Sequence, residues 1–155
     1  MPPKAIALVA MLAVMSGGSA AAQDRRQWIG ASNPDNVMLL YGTPNTDDVA
    51  IAFTCERATK SIRFAYTFEP AGARNGMRID MELSSDSGKV VLNATGRRME
   101  MDDAFVLEAT IRADAALRRT LTGGRTLSIS VQGRAQAFPL AGAGKQAAEL
   151  MAACS

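Results

Sequence analysis

The chain contains no histidine among its 155 residues, and it has only two cysteines. The missing histidine excludes a Ser-His-Asp triad, a Cys-His pair and the usual histidine-ligated zinc or copper sites. The two cysteines form no C-x-x-C motif, so a redox-active or nucleophilic thiol lacks its usual supports. These absences remove the most common catalytic groups, and we expect no cofactor.

Apolar runs long enough to cross a membrane are also missing. The longest run, residues 5–15, is shorter than the roughly 20 residues that a helical span requires. It follows Lys4 and precedes small residues that end in three alanines, which is typical of a cleaved secretory signal. We therefore expect a signal peptide at residues 1–22 and a single β-rich domain at 23–155. That domain would be periplasmic or secreted, without a membrane anchor after cleavage.

A strong charge of either sign is lacking as well. The chain has 17 basic and 15 acidic residues, a formal net charge of +2 at pH 7, and the predicted signal accounts for one lysine. This balance gives no electrostatic reason to expect nucleic acid as a partner.

The two cysteines, Cys55 and Cys154, are predicted to form a disulfide, because an exported chain enters an oxidising compartment. Cys154 lies on the apolar stripe of a helix predicted over the last residues, "GAGKQAAELMAACS". Cys55 shares a face with the larger apolar residues of a predicted strand, "VAIAFTCE". The bond would therefore pin the C-terminal helix to a sheet.

The dominant period in the rest of the chain is two residues. The segments "SIRFAYTF" (61–68) and "MRIDMELS" (77–84) alternate apolar and polar positions, as half-buried strands do, and we predict that they form a hairpin. Similar runs lie at 28–32, 37–42, 49–56, 89–96, 104–111, 126–132 and 134–140. The pattern predicts an all-β fold, an antiparallel sandwich or barrel-like domain of about eight strands. A short helix is predicted at 113–121, besides the C-terminal one.

Arginine and methionine come together in "NATGRRMEMDD" (93–103). Both residue types are enriched in the cores of protein interfaces, so Arg97, Arg98, Met99 and Met101 are candidate partner-binding residues. Trp28, the only tryptophan, is interpreted first as a plug at one end of the core and otherwise as an exposed anchor for a partner.

Two other functions remain open for the same residues. Paired carboxylates, at Asp47-Asp48, Asp102-Asp103 and the outward positions Asp80 and Glu82, would suit a small hydrolase. Methionines 99 and 101 would suit a copper carrier. Adjacent carboxylates in polar turns are more often solvated turn formers than catalytic groups. Core packing explains Met77 and Met81 better than copper binding does, because they share a face with other apolar residues of their strand.

The last part of the chain, "TLTGGRTLSISVQGRAQAFPLAGAGKQAAELMAACS", contains two strands, an alanine-rich helix and a closing cysteine. In this order of features it resembles small exported bacterial β-proteins, namely the invasion-associated locus B family and the type VI secretion accessory proteins. The resemblance concerns a structural closure and transfers no catalytic residue. Together with the missing catalytic groups, it leads us to expect an exported non-catalytic binding or accessory protein of the bacterial cell envelope. Its partner would be another envelope protein or a different envelope component.

Overall fold

Nine antiparallel strands form one curled, half-barrel sheet in the computed structural model, which describes residues 25–155. The strands are β1 (Gln27–Ser32), β2 (Asn36–Gly42), β3 (Val49–Glu56), β4 (Ser61–Thr67), β5 (Arg78–Ser85), β6 (Gly88–Arg98), β7 (Phe105–Ile111), β8 (Thr126–Val131) and β9 (Arg134–Pro139). Two helices, α1 (Ala115–Thr122) and α2 (Gly144–Cys154), complete the fold. The predicted all-β fold with a C-terminal helix is confirmed, whereas the predicted signal peptide, 1–22, lies outside the described residues.

The order of strands across the sheet is β1-β2-β3-β4-β7-β6-β5-β8-β9. The hairpin predicted between 61–68 and 77–84 is therefore wrong, because β4 pairs with β3 and β7 while β5 pairs with β6 and β8. The connection between β4 and β5 is held at the ends of β7 and β6, where Phe68 N–H donates to Phe105 O and Gly76 N–H to Gly96 O. This connection crosses the ends of two strands. As a result, β7 and β6 lie between β4 and β5 in the sheet, although β4 and β5 are consecutive in sequence.

The inner, concave face of the sheet carries the core. The alternation predicted for β4 and β5 is confirmed, since the residues on one side of each strand are buried: Ile62, Phe64 and Tyr66 on β4, and Ile79, Met81 and Leu83 on β5. Helix α1 packs on β5 and β6, and α2 packs on β2 and β3. All these buried side chains belong to one hydrophobic cluster, so burial of apolar area in a single core stabilises the described part of the chain.

The disulfide between Cys55 and Cys154 is present, as predicted, with an S–S distance of 2.05 Å. It joins β3 to the last turn of α2, whose stripe of Ala147, Leu150, Met151 and Cys154 is buried against the sheet. The helix predicted at 113–121 is α1, which begins after Asp114; the side chain of Asp114 accepts a hydrogen bond from Leu117 N–H at 2.9 Å. Neither α1 nor α2 has the length and apolar character that a bilayer span demands.

Candidate binding groove

Three connections meet at one end of the sheet, namely the β2–β3 turn, the β4–β5 connection and the β6–β7 turn. They border an open groove of about 660 Å³, which we call the end groove. Its lining residues are Asp47, Asn75, Arg97, Arg98, Met99, Glu100, Met101 and Asp102. Four of the residues predicted to bind a partner, Arg97, Arg98, Met99 and Met101, thus lie around one cavity.

The β6–β7 turn, residues 99–104, is a closed and well-connected loop. Met99 N–H donates to Ala104 O at 2.8 Å, and the carboxylate of Asp102 accepts from Ala104 N–H at 3.2 Å. Asp103 adopts a left-handed backbone conformation with φ of 55°, which aspartate tolerates better than most residues. The turn thereby presents Met99, Glu100 and Met101 in a fixed arrangement at the rim of the end groove.

Arg98 anchors this turn to the rest of the sheet. Its guanidinium forms ion pairs with Glu69 and Asp103, donates to Asp103 O at 2.8 Å, and lies 5.3 Å from the ring centroid of Phe105. Its backbone N–H donates to Asn75 Oδ1 at 2.7 Å. The hydrogen bond from Arg98 to Glu69 raises the pKa of the guanidinium. Arg98 is therefore committed to contacts within the chain and positions the turn.

Arg97 lies on the outer face of β6 and is more accessible than Arg98, with 53% of its side chain exposed. It pairs with Glu108 of β7 at 3.1 Å, and this contact raises the pKa of the arginine. Arg97 lines both the end groove and a second depression on the outer face of the sheet. Arg97 and Met99 are the two residues that line both cavities.

The second depression, which we call the alanine trough, has a volume of about 200 Å³. Its floor contains Ala50, Ala52 and Ala65, and Ala52 of β3 lies directly opposite Ala65 of β4. The remaining lining residues are Val49, Thr67, Arg97, Met99, Val106 and Glu108. Because these side chains are small, the outer face of the sheet has a shallow apolar channel here. Larger polar side chains at the same positions would fill it. The sequence prediction missed this trough, although alanine at the outward positions of "VAIAFTCE" and "SIRFAYTF" was a visible signal.

Met101 is fully exposed at the rim of the end groove. Within residues 25–155, the other large apolar side chain with high exposure is Val91, at 64% on β6. An exposed methionine beside an apolar depression is typical of a surface that binds a partner. Val91 does not line either cavity, so it offers a natural comparison for the role of Met101.

Three carboxylates of the end groove, Asp47, Glu100 and Asp102, are exposed. None of them forms an ion pair with any residue in the described range 25–155. By contrast, the two arginines of the groove are balanced by Glu108, Glu69 and Asp103. Glu100 also acts electrostatically on Arg97 and contributes to its raised pKa. Carboxylates nevertheless outnumber guanidiniums around the groove, so its net charge is negative.

Trp28 is buried, so its interpretation as an exposed anchor for a partner is wrong. Its side chain is 5% exposed, its Nε1–H donates to Pro139 O at 2.6 Å, and its ring lies 5.1 Å from that of Tyr41. The burial agrees with the first interpretation, a plug of the core, and the buried indole finds the hydrogen-bond partner that it needs in β9.

The carboxylates considered for a hydrolase lie on exposed surfaces. Asp80 accepts a hydrogen bond from Asn93 at 2.9 Å, and Glu82 pairs with Lys89 at 2.9 Å on the same outer face. Hydrogen bonds from Arg26 and then Thr43 hold the pKa of Asp48 below its ordinary value. The contacts of Asp48 thus favour its ionised form, whereas a general acid needs a raised pKa.

The methionines considered for copper divide into two environments. Met81 is buried and Met77 packs against the core, as predicted, whereas Met99 and Met101 lie in the β6–β7 turn. In the part of the chain that the structure describes, no group of three or more His, Cys, Asp and Glu side chains is placed to hold a metal ion.

Two smaller depressions flank α2, with volumes of about 400 and 230 Å³. Both include Ser32 and Glu149 in their lining, and neither contains an exposed large apolar residue. The end groove with the alanine trough is therefore the better candidate for a binding site.

A fold of this kind does not identify a function, because one architecture supports many activities. Comparisons of the chain with protein-family models, with curated proteins and with solved structures found no match.

Proposed function

We propose that this chain is an exported, non-catalytic binding or accessory protein of the bacterial cell envelope. It binds another envelope protein through the end groove and the alanine trough. The observation that carries the proposal is the fully exposed Met101, which stands at the rim of a groove of about 660 Å³. Burying such a side chain against a partner is favourable, since a methionine contributes about 1.5–3 kcal/mol on full burial.

Export to an oxidising compartment is supported by two features of the chain. Residues 1–22 have the pattern of a cleaved signal, and the disulfide between Cys55 and Cys154 is of the kind that persists outside the cytosol. The resemblance of the last part of the chain to exported bacterial β-proteins agrees with this location. Binding should therefore be tested with protein that was exported to the periplasm or secreted and that contains the disulfide.

The test is affinity capture from the native envelope fraction, with the immobilised protein carrying Met101→Ser. We expect recovery of the specific partner to fall about tenfold, because the partner loses the apolar burial of one methionine side chain. Val91→Ser is the matched control, since it removes a comparable exposed apolar side chain away from the groove. Equal recovery with both variants, in proteins of unchanged thermal stability, would show that the end groove does not bind the partner.

Arg98 is unsuitable for this test. Its removal would break contacts to Glu69, Asp103 and Asn75 and would disturb the turn itself. Met101 makes no such contribution, so its replacement changes the surface without changing the fold.

A further inference from the structure

We propose that the partner segment is an extended peptide stretch that carries a basic side chain beside small aliphatic ones. This inference rests on the proposed function and specifies the chemistry of its ligand. The aliphatic part lies over the alanine trough, and the basic side chain extends past Met99 and Met101 to the carboxylates of the end groove.

The apolar part of the site sets the size of the side chains that fit. The trough has a volume of about 200 Å³ and a floor of Ala50, Ala52 and Ala65. A floor of alanines on adjacent strands favours an extended segment with small aliphatic side chains over a bulky helix. Met99 of the β6–β7 turn also lines the trough and would contact the segment from the side of the turn.

The charges of the end groove set the sign of the ligand. The sequence shows two adjacent arginines, but Arg97 is balanced by Glu108, and Arg98 by Glu69. Asp47, Glu100 and Asp102 remain without ion pairs among the residues of the described range. Glu100 also acts electrostatically on Arg97, but carboxylates outnumber the two guanidiniums in the lining of the groove. A basic side chain is therefore attracted there, whereas an acidic one is repelled.

The continuity of the two cavities favours a peptide over other cationic ligands. Arg97 and Met99 line both cavities, so the acidic rim passes directly into the apolar trough. A lysine or arginine side chain fits an apolar surface that adjoins an acidic one. Its methylene stem packs on apolar groups while its charged head stays at the polar rim. A small polyamine would use the carboxylates alone, and an anionic membrane surface would be repelled by them.

The test uses the complete purified chain and three synthetic peptides of equal length. One peptide carries lysines beside alanine and valine, the second has glutamate in place of lysine, and the third has serine in place of the aliphatic residues. We expect the basic aliphatic peptide to bind at low salt, and each of the other two to bind at least about tenfold more weakly by titration calorimetry. Equal or tighter binding of either control peptide, or tighter binding to vesicles of anionic lipid, would overturn the inference.

The variant for this test is Glu100→Gln combined with Asp102→Asn, which keeps the shape of the turn and removes two charges. We expect the affinity for the basic aliphatic peptide to fall by about threefold to tenfold, and the salt dependence of binding to weaken. Asp80→Asn combined with Glu82→Gln is the control, because it removes two charges from the outer face of β5, away from the groove. An unchanged affinity for the first variant overturns the inference. If Met101→Ser still lowers partner capture while Val91→Ser does not, the proposed function stands without it.

Discussion

The hydroxyl of Tyr66 is buried on the inner face of the sheet, where it donates a hydrogen bond to the side-chain oxygen of Gln136. Burial raises its pKa from 10.0 to about 12. As the pH rises, the unfolded chain loses this proton before the folded chain does. Tyr66 therefore makes its full contribution to the free energy of unfolding below pH 10, and this contribution is lost as the pH rises through about 12.

We expect the wild-type protein to be more stable than Tyr66→Phe near neutral pH and to lose this extra stability in alkaline solution. Near pH 9 the wild type should be more stable by about 1 kcal/mol, the usual contribution of a hydrogen bond, and this difference should shrink by up to about 1.4 kcal/mol per unit of pH above 10. Denaturant unfolding of both proteins near pH 9 and about pH 11 measures the difference. A difference that is the same at both pH values would contradict the assignment.

At the same scale, the residues of the candidate site were partly predictable from sequence. Composition identified Arg97, Arg98, Met99 and Met101 because they lie together in one short segment. It did not reveal that Arg98 is committed to Glu69, 29 residues away, or that Trp28 is buried against β9. Such contacts depend on which strands are neighbours in the sheet, and the identity of a single residue does not predict this.

At the scale of elements, α1 lies directly on the start of β6. A Cβ at Gly88 would stand 2.7 Å from Thr120 N and 3.0 Å from Ala116 O, and both atoms belong to the helix backbone. Neither atom moves without shifting α1. Gly144, at the start of α2, has nothing within 4 Å of the corresponding position.

These two glycines make a matched pair of substitutions. We expect Gly88→Ala to lower the free energy of unfolding by about 1–3 kcal/mol, because it overpacks the contact between α1 and β6. Gly144→Ala should leave the free energy unchanged or raise it by a few tenths of a kcal/mol, since alanine favours helix over glycine. Thermal and denaturant unfolding of both variants measures the effect. If Gly88→Ala were as stable as Gly144→Ala, the packing of α1 on β6 would be wrong.

The strands and helices themselves followed well from sequence, whereas their pairing did not. Alternation located β4 and β5 because it depends only on which face is buried. It did not predict that β7 and β6 lie between them, since that choice depends on side-chain packing over the whole sheet. The alanine trough was missed for the same reason, because it requires β3, β4 and β7 to be neighbours.

For the whole molecule, the disulfide is a long-range covalent constraint, because Cys55 and Cys154 are 99 residues apart. In the chain-entropy model, closing a loop of this size stabilises the folded state by up to about 4–5 kcal/mol. We expect reductant to lower the free energy of unfolding of the wild type by an amount of this order. Denaturant unfolding with and without reductant measures it.

The double variant Cys55→Ala with Cys154→Ala is the control for this measurement. Its stability should be low and should not respond to reductant, because no bond remains to be reduced. A comparable loss in the double variant on adding reductant would show that the reductant acts elsewhere.

The disulfide also makes residues 55–154 a covalent ring, and the β6–β7 turn with Met101 is part of that ring. A protease that cuts this exposed turn opens the ring without dividing the molecule. The segments on either side of the cut, which contribute β6 and β7, stay tethered through the cysteines. The cleaved protein is thus released as two pieces only where its surroundings become reducing.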